Sequence, residues 1–235
     1  MKILKNRKAN NNLSELEKNL GLKFRNKNLL KQSLVHRSYI NENPDFHIDH
    51  NERLEFLGDA VLELIVTEYL YKNFNQPEGE LTSWRASLVN GRSLSELAQK
   101  LELNNFLYLS KGEKNSIGKA REIILANTVE ALIGAIYLDQ GLKSATKFIQ
   151  KNILVKLPYI LKHQLYQDPK SGFQEIAQAK YKITPTYKVL KEIGPDHAKE
   201  FTVGVFLNDK LIAEGKGSSK QEAETDAAAS ALTKI

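Results

Sequence analysis

A proline-free stretch from Asn51 to Leu70 constrains the fold of this chain more than any other segment. At about 100° per residue on a helix, Glu52, Glu55 and Asp59 fall within a stripe about 60° wide. The opposite side carries the apolar side chains Leu54, Leu57, Val61 and Ile65. Acids on one stripe repel each other when no basic residue stands four positions later. The pattern therefore predicts a core helix whose polar side favours a bound cation.

A second segment, from Arg121 to Leu138, predicts a buried partner helix that carries a polar pair. Between Ile123 and Leu138 the strongly polar side chains are Asn127 and Glu130, which stand three residues apart and share one helix face. A helix that is apolar nearly all round is buried, and a buried carboxylate without a partner requires a cation or a proton. Because Mg²⁺ prefers oxygen ligands such as carboxylates, the two helices together predict a magnesium site.

These two segments resemble the acidic motifs of the ribonuclease III family, metal-dependent endonucleases of double-stranded RNA. The run from Glu52 to Leu62, ERLEFLGDAVL, is similar to the first motif almost residue for residue. The run from Ala126 to Gly134, ANTVEALIG, is similar to the second motif. It departs from the family at one position, because the family usually has Asp where this chain has Asn127. The resemblance extends over nearly the whole chain.

The resemblance implies a role for each acidic position. The implied Mg²⁺ ligands, for which Mn²⁺ can substitute, are Glu55, Asn127 and Glu130. Asp59 would orient the attacking water and assist proton transfer, so Asp59 and Glu130 are the expected catalytic residues. Glu52 would support the site from outside the ligand set.

Glu78 is a weaker candidate for a supporting residue. It precedes Gly79 and matches a position where the family often has an acid near the dimer interface. Local turn chemistry explains this residue equally well. The family likeness implies a homodimer whose two centres face one RNA duplex and cut one strand each. The expected products carry 5′-phosphate and 3′-hydroxyl ends with a short 3′ overhang, and no small-molecule cofactor is implied.

The net charge of +6 is weak evidence for RNA binding because of where the charge lies. Residues 1–28 hold eight Lys and Arg against two acids, whereas residues 29–167 hold 16 of each sign and residues 168–235 hold 10 of each. The chain has no cysteine, which is typical of a reducing cytosol. The basic start lacks the apolar core of a secretory signal, and the apolar runs are too short to span a bilayer. We therefore expect a cytoplasmic protein without a membrane partner.

The pattern of apolar residues predicts an all-α endonuclease domain in the first part of the chain. The expected organisation is a basic disordered tail over 1–12, a catalytic domain over 13–143, and a final helix with a linker over 144–167. About seven helices are predicted, including one over 28–38, one that begins at a Ser93 cap, and one over 142–165 that bends at Pro158. The pair His47 and His50 has no third ligand that would support a zinc site.

The last part of the chain, residues 168–235, predicts a small α+β domain with the order α-β-β-β-α. An amphipathic helix is followed by strand patterns, a two-residue turn at Asn208-Asp209 and an alanine-rich helix capped by Ser219. The segment resembles a double-stranded RNA-binding domain. The matching runs are Phe173-Gln174-Glu175-Ile176, Gly194-Pro195-Asp196-His197 and Gly217-Ser218-Ser219-Lys220.

This second resemblance implies contacts with the shape of an A-form duplex, which a domain without net charge can make. Gln174, Glu175 and Gln178 would meet one minor groove, and His197 would enter the next. Lys220 would bind phosphates in the intervening major groove, together with the backbone at Ser219. The family often has a second basic residue where this chain has Gln221, which removes one phosphate contact.

Asn127 also permits an alternative function. Because the amide has no negative charge, the chain could recognise structured RNA without cutting it, or cut it weakly. Further loss of acids would favour that alternative. Glu52, Glu55, Asp59 and Glu130 are all present, so we expect an endoribonuclease.

Overall fold

The computed structural model describes residues 12–195 and 199–234. The chain divides into two compact units, residues 1–163 and residues 164–235. The basic tail predicted over residues 1–12 lies, apart from Asn12, outside the described residues. Among the described helices, none combines the length and apolar character needed to cross a membrane.

The first unit is helical, as the sequence predicted. Its described α-helices are α1 (Leu13–Leu20), α2 (Lys27–Ser33), α3 (Arg37–Glu42), α4 (Glu52–Asn73), α5 (Glu78–Val89), α6 (Gly91–Lys100), α7 (Lys111–Lys114), α8 (Lys119–Gln140), α9 (Leu142–Asn152) and α10 (Leu157–Lys162). Short 3₁₀ turns follow α6 at Leu103–Asn105 and α9 at Leu154–Lys156. The described residues thus hold more and shorter helices than the seven that the periodicity suggested.

The core of this unit is built around α8 and its contact with α4. Eleven residues of α8 are buried, among them Val129, Leu132 and Ile133. From α4, Leu62 and Val66 are fully buried against this core. Burial of one such aliphatic side chain contributes about 1.5–3 kcal/mol. The packing of these two long helices therefore fixes the positions of the polar residues that they carry.

The prediction of a single helix over residues 28–38 is wrong, because the chain forms two helices there. Val35 lies between α2 and α3 and forms an isolated parallel bridge with Tyr108. The N–H of Tyr108 donates to the carbonyl of Leu34, and the N–H of His36 donates to the carbonyl of Tyr108. The His36 ring then caps α3 by accepting from the N–H of Ser38. A contact distant in sequence therefore overrides the local helical periodicity.

Two further boundaries differ from the sequence prediction. The cap of α6 is Asn90 and not Ser93, since the Asn90 side chain accepts from the N–H of Ser93 at 2.9 Å. The bent helix expected over residues 142–165 consists of α9, a 3₁₀ turn and α10. Pro158 stands in the first turn of α10, where the missing N–H removes no intrahelical hydrogen bond. Pro158 thus helps to begin a helix where a kink was expected.

The second unit has the predicted α-β-β-β-α order. Its elements are α11 (Pro169–Tyr181), β1 (Thr186–Ile193), β2 (Glu200–Leu207), β3 (Lys210–Gly217) and α12 (Lys220–Leu232). The strands form an antiparallel sheet in the order β1-β2-β3. Asn208, at a φ of 54°, forms the turn between β2 and β3 with Asp209. The fold class is therefore confirmed for both units.

The core of the second unit is small and explains the alanines of α12. Phe173 and Val205 are fully buried together with Ala227 and Ala231. A Cβ atom added to Gly215 of β3 would lie 2.0 Å from the backbone N of Ala227. A side chain at Gly215 would push α12 away from the sheet, and the buried alanines of α12 fit this close approach.

Candidate active site

The acids of α4 lie on the side of the helix that faces away from the core. Glu52 and Asp59 are exposed and Glu55 is half-buried. Leu54 and Val61 point inward and are 4% and 6% exposed. The stripe therefore has the orientation that the helical spacing predicted, with Glu55 closest to the protein interior.

Asn127 and Glu130 occupy the corresponding polar position on α8. Both side chains are half-buried, whereas the neighbouring residues Ala126, Thr128 and Val129 are buried. Thr128 satisfies its own hydroxyl by donating to the carbonyl of Ile124 at 2.7 Å. The polar pair thus lies on an otherwise apolar helix that packs next to α4.

Two glycines set the distance between α4 and α8. A Cβ atom at Gly58 would lie 1.8 Å from the carbonyl oxygen of Glu130, and one at Gly134 would lie 2.2 Å from the carbonyl oxygen of Leu54. Any side chain at either position would force the two backbones apart. This contact brings the acids of α4 beside Asn127 and Glu130.

The negative charges of these acids act on one another. Burial, followed by the negative charges of Asp59 and Glu55, raises the pKa of Glu130 to about 7. Burial also raises the pKa of Glu55, and the charges of Glu52 and Asp59 act in the same direction. A hydrogen bond from Asn127 opposes that rise. Ionisation of these carboxyl groups therefore costs free energy, and a bound cation would remove that cost.

The chemistry of the donor set fits a hard divalent cation. Among the described residues, no three His, Cys, Asp or Glu side chains lie close enough together to hold a metal ion. The expected set is mixed, since it combines Glu55 and Glu130 with the amide oxygen of Asn127. Mg²⁺ binds through one or two carboxylates and keeps several waters, so a sparse set of oxygens suits it.

The two supporting acids occupy different surroundings. Glu52 lies 3.7 Å from Arg37 and 3.7 Å from the His50 ring, at the edge of the acidic stripe. Glu78 is exposed at the start of α5, where it lines a cavity of about 840 Å³ with Tyr71 and Arg85. The charge of Glu52 is among the causes that raise the pKa of Glu55. Glu78 is not among the causes that shift the pKa of Glu55 or of Glu130.

Sequence reasoning missed Phe56, which is 82% exposed although it belongs to the acidic motif. Its position gave a signal, because it stands four residues after Glu52 and three before Asp59, on their polar face. Beside it lies a cavity of about 670 Å³. The apolar side chains that line this cavity include Leu29, Leu54, Leu57 and Leu138.

The second unit presents the predicted RNA-binding residues of α11 on its surface. Gln174, Glu175 and Gln178 are exposed and line, with Ser171, a depression of about 460 Å³. The side chain of Gln178 accepts a hydrogen bond from the hydroxyl of Thr184 at 3.3 Å. These side chains form a polar face in which Glu175 is the charged residue.

The start of α12 holds the other two described candidates. The Ser219 hydroxyl accepts from the N–H of Glu222 at 3.2 Å, which confirms the predicted cap and commits this side chain to the helix terminus. Lys220 is exposed, with its ammonium 5.9 Å from the centre of the Phe201 ring. His197 lies outside the described residues.

Comparison with known proteins agrees with this arrangement. A family model described as ribonuclease-III-like matches residues 26–157, and one for the double-stranded RNA binding motif matches residues 169–235. Ribonuclease 3 of Nitratiruptor sp. is 47% identical over 94% of this chain and 95% of its own length. Ribonuclease 3 of Carboxydothermus hydrogenoformans is 49% identical over 94% of both chains.

A solved structure is similar to the first unit. It is the nuclease domain of ribonuclease III from Campylobacter jejuni, described for flexibility in its region of dimer formation. It is 41% identical with a TM-score of 0.56, and the match covers 63% of this chain and 99% of that structure. Given the acidic site between α4 and α8, the RNA-binding fold of the second unit and these similarities, the chain belongs to the ribonuclease III family of endoribonucleases.

Proposed function

We propose that this chain cleaves both strands of double-stranded RNA in a Mg²⁺-dependent reaction. The products would carry 5′-phosphate and 3′-hydroxyl ends with a short 3′ overhang. The observation that carries this proposal is the convergence of Glu55, Asp59 and Glu130 with Asn127 across the glycine contact of α4 and α8. Structured precursor RNAs, such as precursors of ribosomal RNA, are the proposed substrates, and the cytoplasm is the proposed location.

Each residue has a distinct part in the proposed reaction. Glu55, Asn127 and Glu130 hold the cation, and Mn²⁺ can take the place of Mg²⁺. When bound, the cation supplies stabilisation of the charge that develops on the scissile phosphate. Asp59 is exposed, so it can orient a water for attack and pass a proton to solvent. Water forms the new bond to phosphorus while the bond to the 3′ oxygen breaks, and that oxygen takes up a proton.

Glu52 and Glu78 have supporting parts in this proposal. Glu52 faces Arg37 and His50, and these partners fix the entry of the chain into α4. The ion pair between Glu52 and Arg37 at this point helps to hold the first turn of the helix that carries Glu55. Glu78 is assigned to the region of the dimer contact because it matches a position where the family often has an acid there, and its side chain is exposed.

The proposed active form is a homodimer. Phe56 is an exposed aromatic side chain on the face that also carries the acids, and it adjoins a cavity with an apolar lining. Exposed apolar surface of this kind favours burial against another protein. Two copies would bring two centres to one duplex, so that each centre cuts one strand.

The proposed division of labour assigns cleavage to residues 13–143 and duplex binding to residues 168–235, with residues 144–167 between them. Gln174, Glu175 and Gln178 would contact 2′-hydroxyl groups in a minor groove, which distinguish RNA from DNA. His197 would contact the next minor groove. Lys220 and the N–H groups at the start of α12 would bind phosphates.

The direct test is incubation of the purified full chain with an end-labelled RNA duplex. Parallel reactions contain Mg²⁺, Mn²⁺ or a chelator, and a DNA duplex of the same sequence is the control. We expect RNA cleavage with either metal, ligatable 5′-phosphate ends and no cleavage in chelator. Cleavage that proceeds unchanged in chelator would contradict the proposed chemistry.

A second candidate function rests on Asn127. Because a neutral ligand attracts a hard cation less than a carboxylate does, the chain could bind structured RNA with little or no cleavage. The same incubation separates the two functions. Duplex binding with an intact substrate at every metal concentration would favour the binding protein over the nuclease.

A further inference from the structure

Three hydrogen bonds connect α3 to α7 through the His36 ring and the Ser38 hydroxyl. The N–H of Ser38 donates to His36 Nδ1 at 3.3 Å, and the Ser38 hydroxyl lies 2.8 Å from the same nitrogen. The Ser38 oxygen also accepts from the N–H of Ser110 at 3.2 Å, and the Ser110 side chain caps α7. Because Nδ1 accepts from a backbone N–H, it carries no proton, and the Ser38 hydroxyl donates to it as well. The network therefore assigns a neutral ring with its proton on Nε2.

The short helix α7 is held by its neighbours at two further points. The N–H of Lys111 donates to the Glu42 carboxylate of α3 at 3.0 Å. Arg121, in the first turn of α8, donates to the carbonyl of Lys114 at 3.0 Å. A helix of four residues leaves most of its terminal N–H and C=O groups without an intrahelical partner. The position of α7 therefore depends on contacts from α3 and α8.

The surroundings of His36 favour its neutral form. The charged groups that act on the ring are Glu113 of α7, Glu52 of α4, His50 before α4, and Arg121 of α8. Burial lowers the pKa of His36 below its ordinary value of 6.5, and the positive charges of His50 and Arg121 act in the same direction. The two acids oppose this effect. The stability that the neutral ring contributes is therefore present above pH 6.5 and is lost as the pH falls through the lower pKa of the folded state.

We infer that His36 is a pH-sensitive switch, whose neutral ring connects α3 to α7 and whose protonated ring releases that connection. A proton on Nδ1 removes the acceptor for the N–H of Ser38, so the cap of α3 is lost. The protonated ring is also a donor, and it competes with the N–H of Ser110 for the Ser38 oxygen. None of these three residues belongs to the proposed cation site, so the switch goes beyond the proposed function.

Amide hydrogen exchange of the full chain, at about pH 5 and about pH 8, tests this inference. The matched control is His36→Asn, because asparagine caps helices well but does not titrate. After correction for the intrinsic exchange rate, the protection of the Ser38 and Ser110 amides should fall by about tenfold at the lower pH in the natural chain. In His36→Asn it should stay nearly constant. Glu130, with a pKa of about 7, titrates in the same range but is present in both chains, so its effect cancels.

The ring nitrogens give a second measurement that does not depend on the folding of His36→Asn. In the natural chain at neutral pH, the nitrogen chemical shifts of the labelled rings should place the proton of His36 on Nε2. Ser38→Ala removes the hydroxyl that donates to Nδ1, so the pKa of His36 should rise. Ser116→Ala removes a hydroxyl that donates to the carbonyl of Glu113, and this control should leave the pKa of His36 unchanged.

Two results would overturn the inference. The first is a proton on Nδ1 of His36 at neutral pH, or a pKa of His36 that does not rise in Ser38→Ala. The second is protection of the Ser110 amide that stays constant with pH in the natural chain, or that falls equally in His36→Asn. Absence of RNA cleavage would contradict the proposed function and would leave both measurements unaffected.

Discussion

The acidic site of the first unit and the polar face of the second unit differ in burial and in the distribution of charge. In the first unit, half-buried carboxylates converge at a helix contact, and burial raises the pKa of Glu130 to about 7. In the second unit, the proposed contacts are exposed, and residues 168–235 carry 10 basic and 10 acidic residues. Charge is concentrated where a cation is expected and dispersed where a whole duplex is expected. The comparison suggests that single changes will act strongly in one unit and weakly in the other.

The first prediction separates chemistry from binding. Glu130→Gln keeps the size of the side chain but removes the charge that would hold the cation, so cleavage should fall by about a hundred- to a thousandfold. Duplex binding should survive, because recognition is assigned to the second unit. Cleavage rates and gel-shift affinities on one RNA duplex measure both quantities. A variant that still cuts at more than about a tenth of the natural rate would show that Glu130 is not a central ligand.

The second prediction removes the second unit. A fragment of residues 1–165 should retain the metal site and cut weakly at low salt. Its activity should fade steeply as the salt concentration rises, by about tenfold or more relative to the full chain, because it lacks the second set of duplex contacts. Cleavage rates across a salt series provide the measurement. A fragment as active as the full chain at physiological salt would mean that the second unit is dispensable for catalysis.

The third prediction concerns pH and the metal-free protein. The ordinary pKa of a glutamate is 4.5, and burial raises that of Glu130 to about 7, so the folded state binds the proton more tightly than the unfolded state. The contribution of Glu130 is most favourable below pH 4.5 and is lost as the pH rises through about 7. Above that pH, in chelator, Glu130→Gln should be more stable by about 1–2 kcal/mol, after allowance for the partial exposure of the carboxylate.

Denaturant unfolding followed by Trp84 fluorescence, at pH 5 and pH 8, measures this difference. The advantage of the variant should be small at the lower pH and should shrink again at pH 8 when Mg²⁺ is added. An advantage that is equal at both pH values would point to packing and not to ionisation.

The fourth prediction sharpens the meaning of Asn127. Asn127→Asp should lower the Mg²⁺ concentration for half-maximal cleavage by about tenfold, since one lost charge on a ligand costs about 1–3 kcal/mol. The rate should rise more at low Mg²⁺ than at saturation, and duplex affinity without metal should stay nearly unchanged. Superimposable titrations of the two proteins would show that position 127 is not a ligand. A change from no cleavage to strong cleavage would favour the binding protein as the natural function.

Much of the architecture could be predicted from local patterns. The acidic stripe of α4 follows from helical spacing alone, and the turn at Asn208 and the cap at Ser219 follow from residue type. One of the errors arose where a distant contact overrode the local pattern. The bridge from Val35 to Tyr108 ended a helix early, and no periodicity within residues 28–38 contains that information.

The sequence by itself determined which helices carry the acids, which side of each helix is apolar, and that a small α+β unit follows a helical one. These properties depend on neighbours in the chain, so spacing and composition report them. Only the tertiary structure decided that α4 lies against α8 at Glu130, where the charges of Asp59 and Glu55 raise the pKa of that residue. Those contacts depend on the distance and rotation of α4 against α8. Both are set by the backbone contact at Gly58 and Gly134, residues that are far apart in the chain.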